Sequence, residues 1–294
     1  MDRHFRLTPP APPAPDTSGF SAHVLLDGRF CLDEPIGHGT AAYVWRATDL
    51  SSLEKVAVKI FSAPLGHAPE GHEAVREAAA LRAVENPNVV RMIADGTISH
   101  PATGVQTPYL VLELVRGADL RRSICGVLPP DAAARLGIGL AAGLAGMHAA
   151  GYIHRDVKPS NILLDSSTGE AKIADLGIAV NKQGQRDGQP SYGSLSYMSP
   201  EQIRRTPLTS ATDIYSLGLV LLECLSGVRA FDLPQTETMA ARTVRGPELP
   251  AAMPTGWRSL LAAMTSVLPE ERPTAEQCRL ALASLCRRPS AVAA

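Results

Sequence analysis

Lysine is scarce in this chain. Only Lys55, Lys59, Lys158, Lys172 and Lys182 occur in 294 residues, and arginine supplies the rest of the basic set. With so much alanine, the composition has the look of a high-GC bacterial genome. Each remaining Lys therefore invites a question, and Lys59 and Lys158 stand where a compact ammonium is expected to serve better than a planar guanidinium. No Cys-x-x-Cys pair joins Cys31, Cys125, Cys224, Cys278 and Cys286, so they read as buried or incidental thiols of a reducing compartment. No apolar run reaches about 18 residues, so no membrane span is expected. The opening Met-Asp-Arg-His-Phe-Arg leads into prolines and not an apolar core, which argues against a signal peptide and makes the cytoplasm the expected compartment. A formal net charge of −1 gives no broadly basic surface, and no nucleic-acid partner is expected. What remains is 45% hydrophobic and 19% charged, ordinary for a soluble globular protein of one or two domains.

Residues 9–15 read Pro-Pro-Ala-Pro-Pro-Ala-Pro, a sequence for an extended tether, and residues 1–24 are expected to be a flexible Pro-rich segment. Folded structure should run from 25 to 287, with a tail over 288–294. Short β-type runs are predicted at Arg29–Ile36, Ala42–Thr48 and Lys55–Phe61, the last alternating through Val56, Val58 and Ile60. A helix follows over Glu70–Val84, ending before Pro87, then strands at Val90–Thr97 and Pro108–Glu113. Helices are predicted at Asp131–Ala150, stopped by Gly151, and at Ser210–Ser226, Gly256–Val267 and Thr274–Leu285. Five strands with one helix and then a mainly helical portion give an α+β chain. A small β-rich lobe (about 25–114) should join a larger α-rich lobe (about 115–287), with a cleft between them.

Ile36-Gly37-His38-Gly39 lies between the first two strands, and two glycines two apart let a hairpin backbone approach a phosphate chain closely. A plain hairpin turn would look the same. A dinucleotide fingerprint is excluded because a strand follows, and a Walker A loop because no Gly-Lys-Ser/Thr closes the segment. Twenty residues beyond Gly39, Lys59 stands in the apolar run Val56-Ala57-Val58-Lys59-Ile60. Either it points outward from an edge strand, or its buried charge is paired. For the second case Glu77 on the following helix is the better partner and Glu73, one turn earlier, the runner-up.

His154-Arg155-Asp156-Val157-Lys158-Pro159-Ser160-Asn161 resembles the catalytic loop of protein kinases. Asp175-Leu176-Gly177 resembles their Asp-Phe-Gly, and Ser199-Pro200-Glu201 their Ala-Pro-Glu. Asp213-Ile214-Tyr215-Ser216-Leu217-Gly218 resembles the motif opening the central helix of the large lobe. The resemblance covers roughly residues 28–286, and Lys158 directs it to the eukaryotic-like Ser/Thr kinases of bacteria (Hanks type). It implies a bilobal protein-kinase fold and transfer of the ATP γ-phosphoryl group to Ser/Thr hydroxyls of proteins, a non-specific serine/threonine protein kinase of bacterial signalling that autophosphorylates.

The same resemblance assigns roles. Asp156 is the catalytic base, Lys158 meets the γ-phosphoryl group, and Lys59, paired with Glu77, contacts the α/β-phosphates. Asn161 and Asp175 hold Mg2+, with Mn2+ as the alternative. ATP would be bound by Ile36, Gly37, Gly39, Val44, Ala57, Lys59, Glu113, Val115, Asp119 and Leu163. Of these, Val44, Ala57 and Leu163 sandwich the adenine, the Glu113 carbonyl and Val115 N–H bond its edge, and Asp119 meets a ribose hydroxyl. Leu112 is the gatekeeper. Arg272 suits an ion pair with Glu201, and Asp213 should bond the backbone of the catalytic loop. The partners are protein substrates, with a homodimer or regulatory partner left open.

The third glycine of the phosphate loop is replaced by Ala42, and residues 178–198 contain no Thr. A pseudokinase scaffold would lack Lys59, Asp156 or Asp175, and a small-molecule phosphotransferase would not carry Ser199-Pro200-Glu201, the Asp213 motif and Arg272 together. A pure binding module would not aim so many charges at one cleft. Ser194 resembles the position that bonds the catalytic Asp and Lys. Arg155 is the expected partner of an activating phosphate on Ser191, Tyr192, Ser194 or Ser196, with Ser191 the candidate. Mass spectrometry of autophosphorylated protein is expected to find phosphate at Ser191, and a loop without any modified residue would refute that.

Overall fold

The computed structural model describes residues 19–39, 42–62, 68–101, 103–123, 126–176, 180–181, 195–231 and 235–286. The Pro-rich stretch 9–15, the tail, Cys125, Gly177, Ser191, Tyr192 and Ser194 lie outside them. The chain separates into two compact units. Among the described residues the first takes 19–85, 90–116 and 175–176, and the second takes 86–89, 117–174 and those from 180 on.

The first unit is a six-stranded antiparallel sheet with one helix. Its strands are β1 (Leu25–Leu26), β2 (Phe30–His38), β3 (Ala42–Asp49), β4 (Lys55–Phe61), β5 (Met92–Ser99) and β6 (Gln106–Glu113), in the order β1-β2-β3-β4-β6-β5. The helix α1 covers Ala68–Ala83. The two-residue β1 makes six strands where the sequence reads as five, since so short a pairing has no periodicity to detect. β4 is central, which settles how its alternation is used. Val56, Val58 and Ile60 point into an apolar core with Trp45, Ala47, Tyr109 and Val111. Ala57, Lys59 and Phe61 occupy the opposite face, which is also buried. A strand covered on both sides has every residue after Lys55 buried, so an outward-pointing edge lysine is ruled out.

The second unit is mainly helical. It begins with β7 (Gly117–Asp119), α2 (Leu120–Ser123), the long α3 (Pro130–Ala149), β8 (Tyr152–Ile153), β9 (Ile162–Asp165), β10 (Ala171–Ile173) and β11 (Val180–Asn181). Then come α4 (Pro200–Arg204), α5 (Ala211–Ser226), α6 (Gln235–Val244), α7 (Thr255–Met264) and α8 (Ala275–Cys286). The four expected helices are present with ends shifted by at most three residues. α3 stops where Gly151 takes φ +88°, and α5 where Gly227 takes φ +74°. Eight elements of this unit were not legible. α2 and α4 are too short for a helical period, the strands β7 to β11 are too short for alternation, and α6 was not among the expected helices.

α5 is the buried axis of this unit, with Ile214, Tyr215, Leu217, Leu219, Val220, Leu221 and Leu222 all within the core. Residues 86–89 pack on α3 because that helix offers glycines there. A methyl at Gly143 would meet the Asn88 carbonyl at 2.9 Å. The Asn88 side chain donates to the Ala171 carbonyl at 2.9 Å, and the Ile173 N–H donates to the Asn88 carbonyl at 2.7 Å. At Gly117 in β7 a Cβ would stand 1.9 Å from the Leu164 carbonyl oxygen. Main chain cannot swing aside as a side chain does, so Gly117→Ala should cost more than about 2 kcal/mol in urea unfolding. An unchanged midpoint would contradict that packing.

Candidate active site

In the first unit one ammonium meets two carboxylates. Lys59 Nζ lies 2.6 Å from Glu77 Oε2 and 2.6 Å from Asp175 Oδ1, and 5.1 Å from the Phe61 ring centroid. β4 fixes the lysine between Val44 and Leu110 in the sheet register, and α1 brings in Glu77, which is 1% exposed. Glu77, and not Glu73, is therefore the carboxylate that meets Lys59. Burial alone would lower the Lys59 pKa, but the Asp175 and Glu77 charges outweigh it and hold the ammonium above its ordinary value. Glu77 is pushed above the usual carboxylate range by burial, with Lys59 offsetting only part of that. Asp175 adopts φ +63°, and Leu176 after it has no exposed surface.

In the second unit the loop 154–161 gathers three of the expected residues. Lys158 Nζ donates to Asp156 Oδ2 at 2.5 Å, and Asn161 Nδ2 donates to the same oxygen at 3.1 Å and to the Asp156 carbonyl at 3.0 Å. Asn161 can place its amide this way because a 3-10 turn over Pro159–Asn161 folds it back. His154, fully buried, accepts the Asp156 N–H at Nδ1 (3.2 Å) and reaches the Ala174 carbonyl with Nε2 (3.2 Å), which sets the neutral Nε2–H tautomer.

Asp213 holds this loop from the first turn of α5. Its Oδ2 accepts from the His154 N–H at 2.9 Å and lies 2.8 Å from His148 Nε2, while Oδ1 accepts from the Arg155 N–H at 2.8 Å. Burial would raise its pKa, but the bonds from His148 and the Arg155 N–H hold it below the ordinary value. Arg155 takes φ +71°, a left-handed conformation for a residue with a Cβ.

Glu201 and Arg272 form a bidentate pair at 2.7 and 2.9 Å, and Thr212 Oγ1 adds a bond to Glu201 at 2.8 Å. The guanidinium also donates to the Ser266 and Ala211 carbonyls and lies over the Tyr215 ring. Burial raises the Glu201 pKa, yet Arg272 more than reverses this. α4 is capped reciprocally by Ser199 and Gln202, and Gln202 Nε2 then donates to the Arg155 carbonyl at 2.8 Å. Gln202 was missed in the sequence, where its only signal was the Ser-x-x-Gln spacing of a capping box.

The remaining expected residues are distributed as follows. Ile36 is exposed, Gly37 pairs with Val44, and the Gly39 N–H donates to the Ala42 carbonyl at 2.8 Å, closing the hairpin. Ala57 is buried on the Lys59 face, paired with Leu112. Glu113 exchanges main-chain and side-chain bonds with Arg91, and Val115 is half-buried two residues on. Asp119 caps α2, accepting the Arg122 N–H at 2.9 Å. Leu163 is half-buried in β9, opposite Asp119.

Residues 30–281 match the model of the protein kinase domain. The chain belongs to the protein kinase family. Among curated relatives of this kinase domain, probable serine/threonine-protein kinase PknB of Corynebacterium glutamicum is 37% identical over 215 residues, 71% of this chain and 33% of the relative. Serine/threonine-protein kinase PknA of Mycobacterium tuberculosis is 34% identical over 244 residues, 81% of this chain and 56% of that one. Serine/threonine-protein kinase PkaA of Streptomyces coelicolor is 30% identical over 273 residues, 85% and 49%. The chain thus spans about a third to a little over half the length of these bacterial relatives. Among the described residues no helix is long and apolar enough to cross a membrane.

Glu201 and Asp213 titrate below their unfolded values of about 4–4.5, so their contribution to stability is complete above that range and is lost as pH falls through their folded values. Urea unfolding should show stability declining below about pH 4.5. Arg272→Ala, which strands a buried carboxylate, should cost about 3–5 kcal/mol at pH 7 and flatten that acid limb. A pH-independent loss in the variant would contradict the pairing.

Proposed function

We propose that the chain is an ATP-dependent serine/threonine protein kinase acting in bacterial signalling in the cytoplasm, with proteins as acceptors. The observation that carries this reading is the convergence of Lys158 and Asn161 on the one carboxylate of Asp156. A carboxylate so placed can orient an acceptor hydroxyl and take its proton late in a loose transfer, while an ammonium beside it neutralises charge on the phosphoryl group.

Lys59, kept charged by Glu77, would contact the α/β-phosphates of ATP. Glu77 has a positioning role: it holds the ammonium and touches no substrate. Gly37 and Gly39, with Ile36, would cover the phosphates. Val44, Ala57 and Leu163 would contact the adenine, the Glu113 carbonyl and Val115 N–H its edge, and Asp119 the ribose.

The donor chemistry of the chain fits Mg2+ or Mn2+. A carboxylate at Asp175 and an amide oxygen at Asn161 are hard donors, and Mg2+ typically takes one or two protein ligands and completes its shell with phosphate and water oxygens. When bound, the ion supplies neutralisation of charge at the β- and γ-phosphates.

In a radiolabelled transfer assay with Mg-ATP, Asp156→Ala and Lys59→Met should each lower transfer to protein by about 100-fold or more. Far-ultraviolet circular dichroism should show both variants folded, so that the loss is one of transfer and not of structure. Transfer at the wild-type rate in either variant would sink the reading.

A further inference from the structure

We propose that Arg242 is a positioning residue for the protein acceptor, acting through the main chain of residues 195–198. The inference rests on the kinase reading above and gives that reading a residue for substrate recognition.

Arg242 lies on α6 and is 1% exposed. Its Nη1 donates to the Leu195 carbonyl at 2.6 Å and the Met198 carbonyl at 3.2 Å, and its Nη2 to the Ser196 carbonyl at 2.6 Å. The guanidinium carbon is 4.8 Å from the Phe231 ring centroid. Among the described residues no carboxylate meets this charge, and Nε is buried without an acceptor. Burial pulls its pKa below the ordinary arginine value, and only Tyr215 and Tyr197 act against that.

A guanidinium buried without a counter-ion is a costly way to fill space, and an apolar side chain of similar volume would serve packing alone as well or better. What an apolar residue cannot do is donate to carbonyls. The segment over Leu195–Tyr197 is a single 3-10 turn, which leaves carbonyls that its own backbone cannot satisfy. Arg242 takes three of them. The fourth, that of Tyr197, accepts from Ser216 Oγ at 2.8 Å, and the Tyr197 hydroxyl bonds Glu223 at 2.5 Å. Every carbonyl from 195 to 198 is thus claimed by a side chain from α5 or α6.

The clamped segment runs into Ser199, whose capping partner Gln202 bonds the Arg155 carbonyl beside Asp156. A change at Arg242 therefore acts on the backbone that leads through Ser199 and Gln202 to the Arg155 carbonyl, beside the Asp156 carboxylate that would orient the acceptor hydroxyl. Lys59, Glu77 and Asp175 form their ion pairs without Arg242, so nucleotide handling should be spared.

The test uses the full chain and its Arg242→Gln and Arg242→Lys variants, with the best peptide from a degenerate Ser/Thr library as acceptor. Peptide KM should rise about 10-fold in Arg242→Gln while the KM for ATP and ATP hydrolysis without peptide stay within about 2-fold, since a small misplacement near the reacting groups acts on the step it touches. Arg242→Lys should fall between, because one ammonium keeps the charge but cannot span three carbonyls. Hydrogen exchange should quicken at residues 195–199. A lowered Tm in Arg242→Gln with unchanged peptide KM would mark a merely structural arginine and overturn the inference alone. A wild type that phosphorylates no Ser/Thr acceptor would instead overturn the kinase reading, and the inference with it.

Discussion

The Asp213 carboxylate, with no exposed surface, fixes the geometry on which the second unit's chemistry depends. It accepts the N–H groups of His154 and Arg155 and holds His148 against its second oxygen. Two adjacent N–H groups can converge on one carboxylate only if the chain turns sharply between them, and Arg155 supplies that turn with a positive φ. A side chain with a Cβ does not favour that conformation, so the strain is held by three bonds to one buried charge. Once the turn is made, Asp156, Lys158 and Asn161 follow within hydrogen-bonding reach of one another.

Three buried cations are stabilised in three different ways, and the contrast separates chemistry from scaffolding. Lys59 shares two carboxylates, one buried and one half-exposed. Arg272 is closed off by a bidentate carboxylate and a ring face, an arrangement that spends every donor on the fold. Among the described residues Arg242 has carbonyl dipoles in place of a counter-ion, and its donors go to a single 3-10 turn and the residue after it.

The motif residues were legible because each is a chemically distinct group in an otherwise apolar or small-residue setting. A lysine within Val-Ala-Val-Lys-Ile and an acid-base cluster over 154–161 stand out by type and spacing alone. The Glu201–Arg272 pair was legible through the resemblance. Gln202 and Arg242 were not, because a polar residue on a short helix looks like any solvated one until its donors are traced. The five short strands of the second unit were hidden for a similar reason, since two to four residues cannot display a period.

The sequence by itself determined the family, the α+β class, the order of the five longer strands and of α1, α3, α5, α7 and α8, and the identity of the charged groups. Those follow from local spacing, and local spacing is written in one dimension. The tertiary structure alone decided that β4 is covered on both faces, that Glu77 and not Glu73 reaches Lys59, and that Arg242 closes on three carbonyls far from it in sequence. Such choices depend on which donor meets which acceptor after packing, and burial decides them because an unpaired charge in the core is the alternative that folding cannot tolerate.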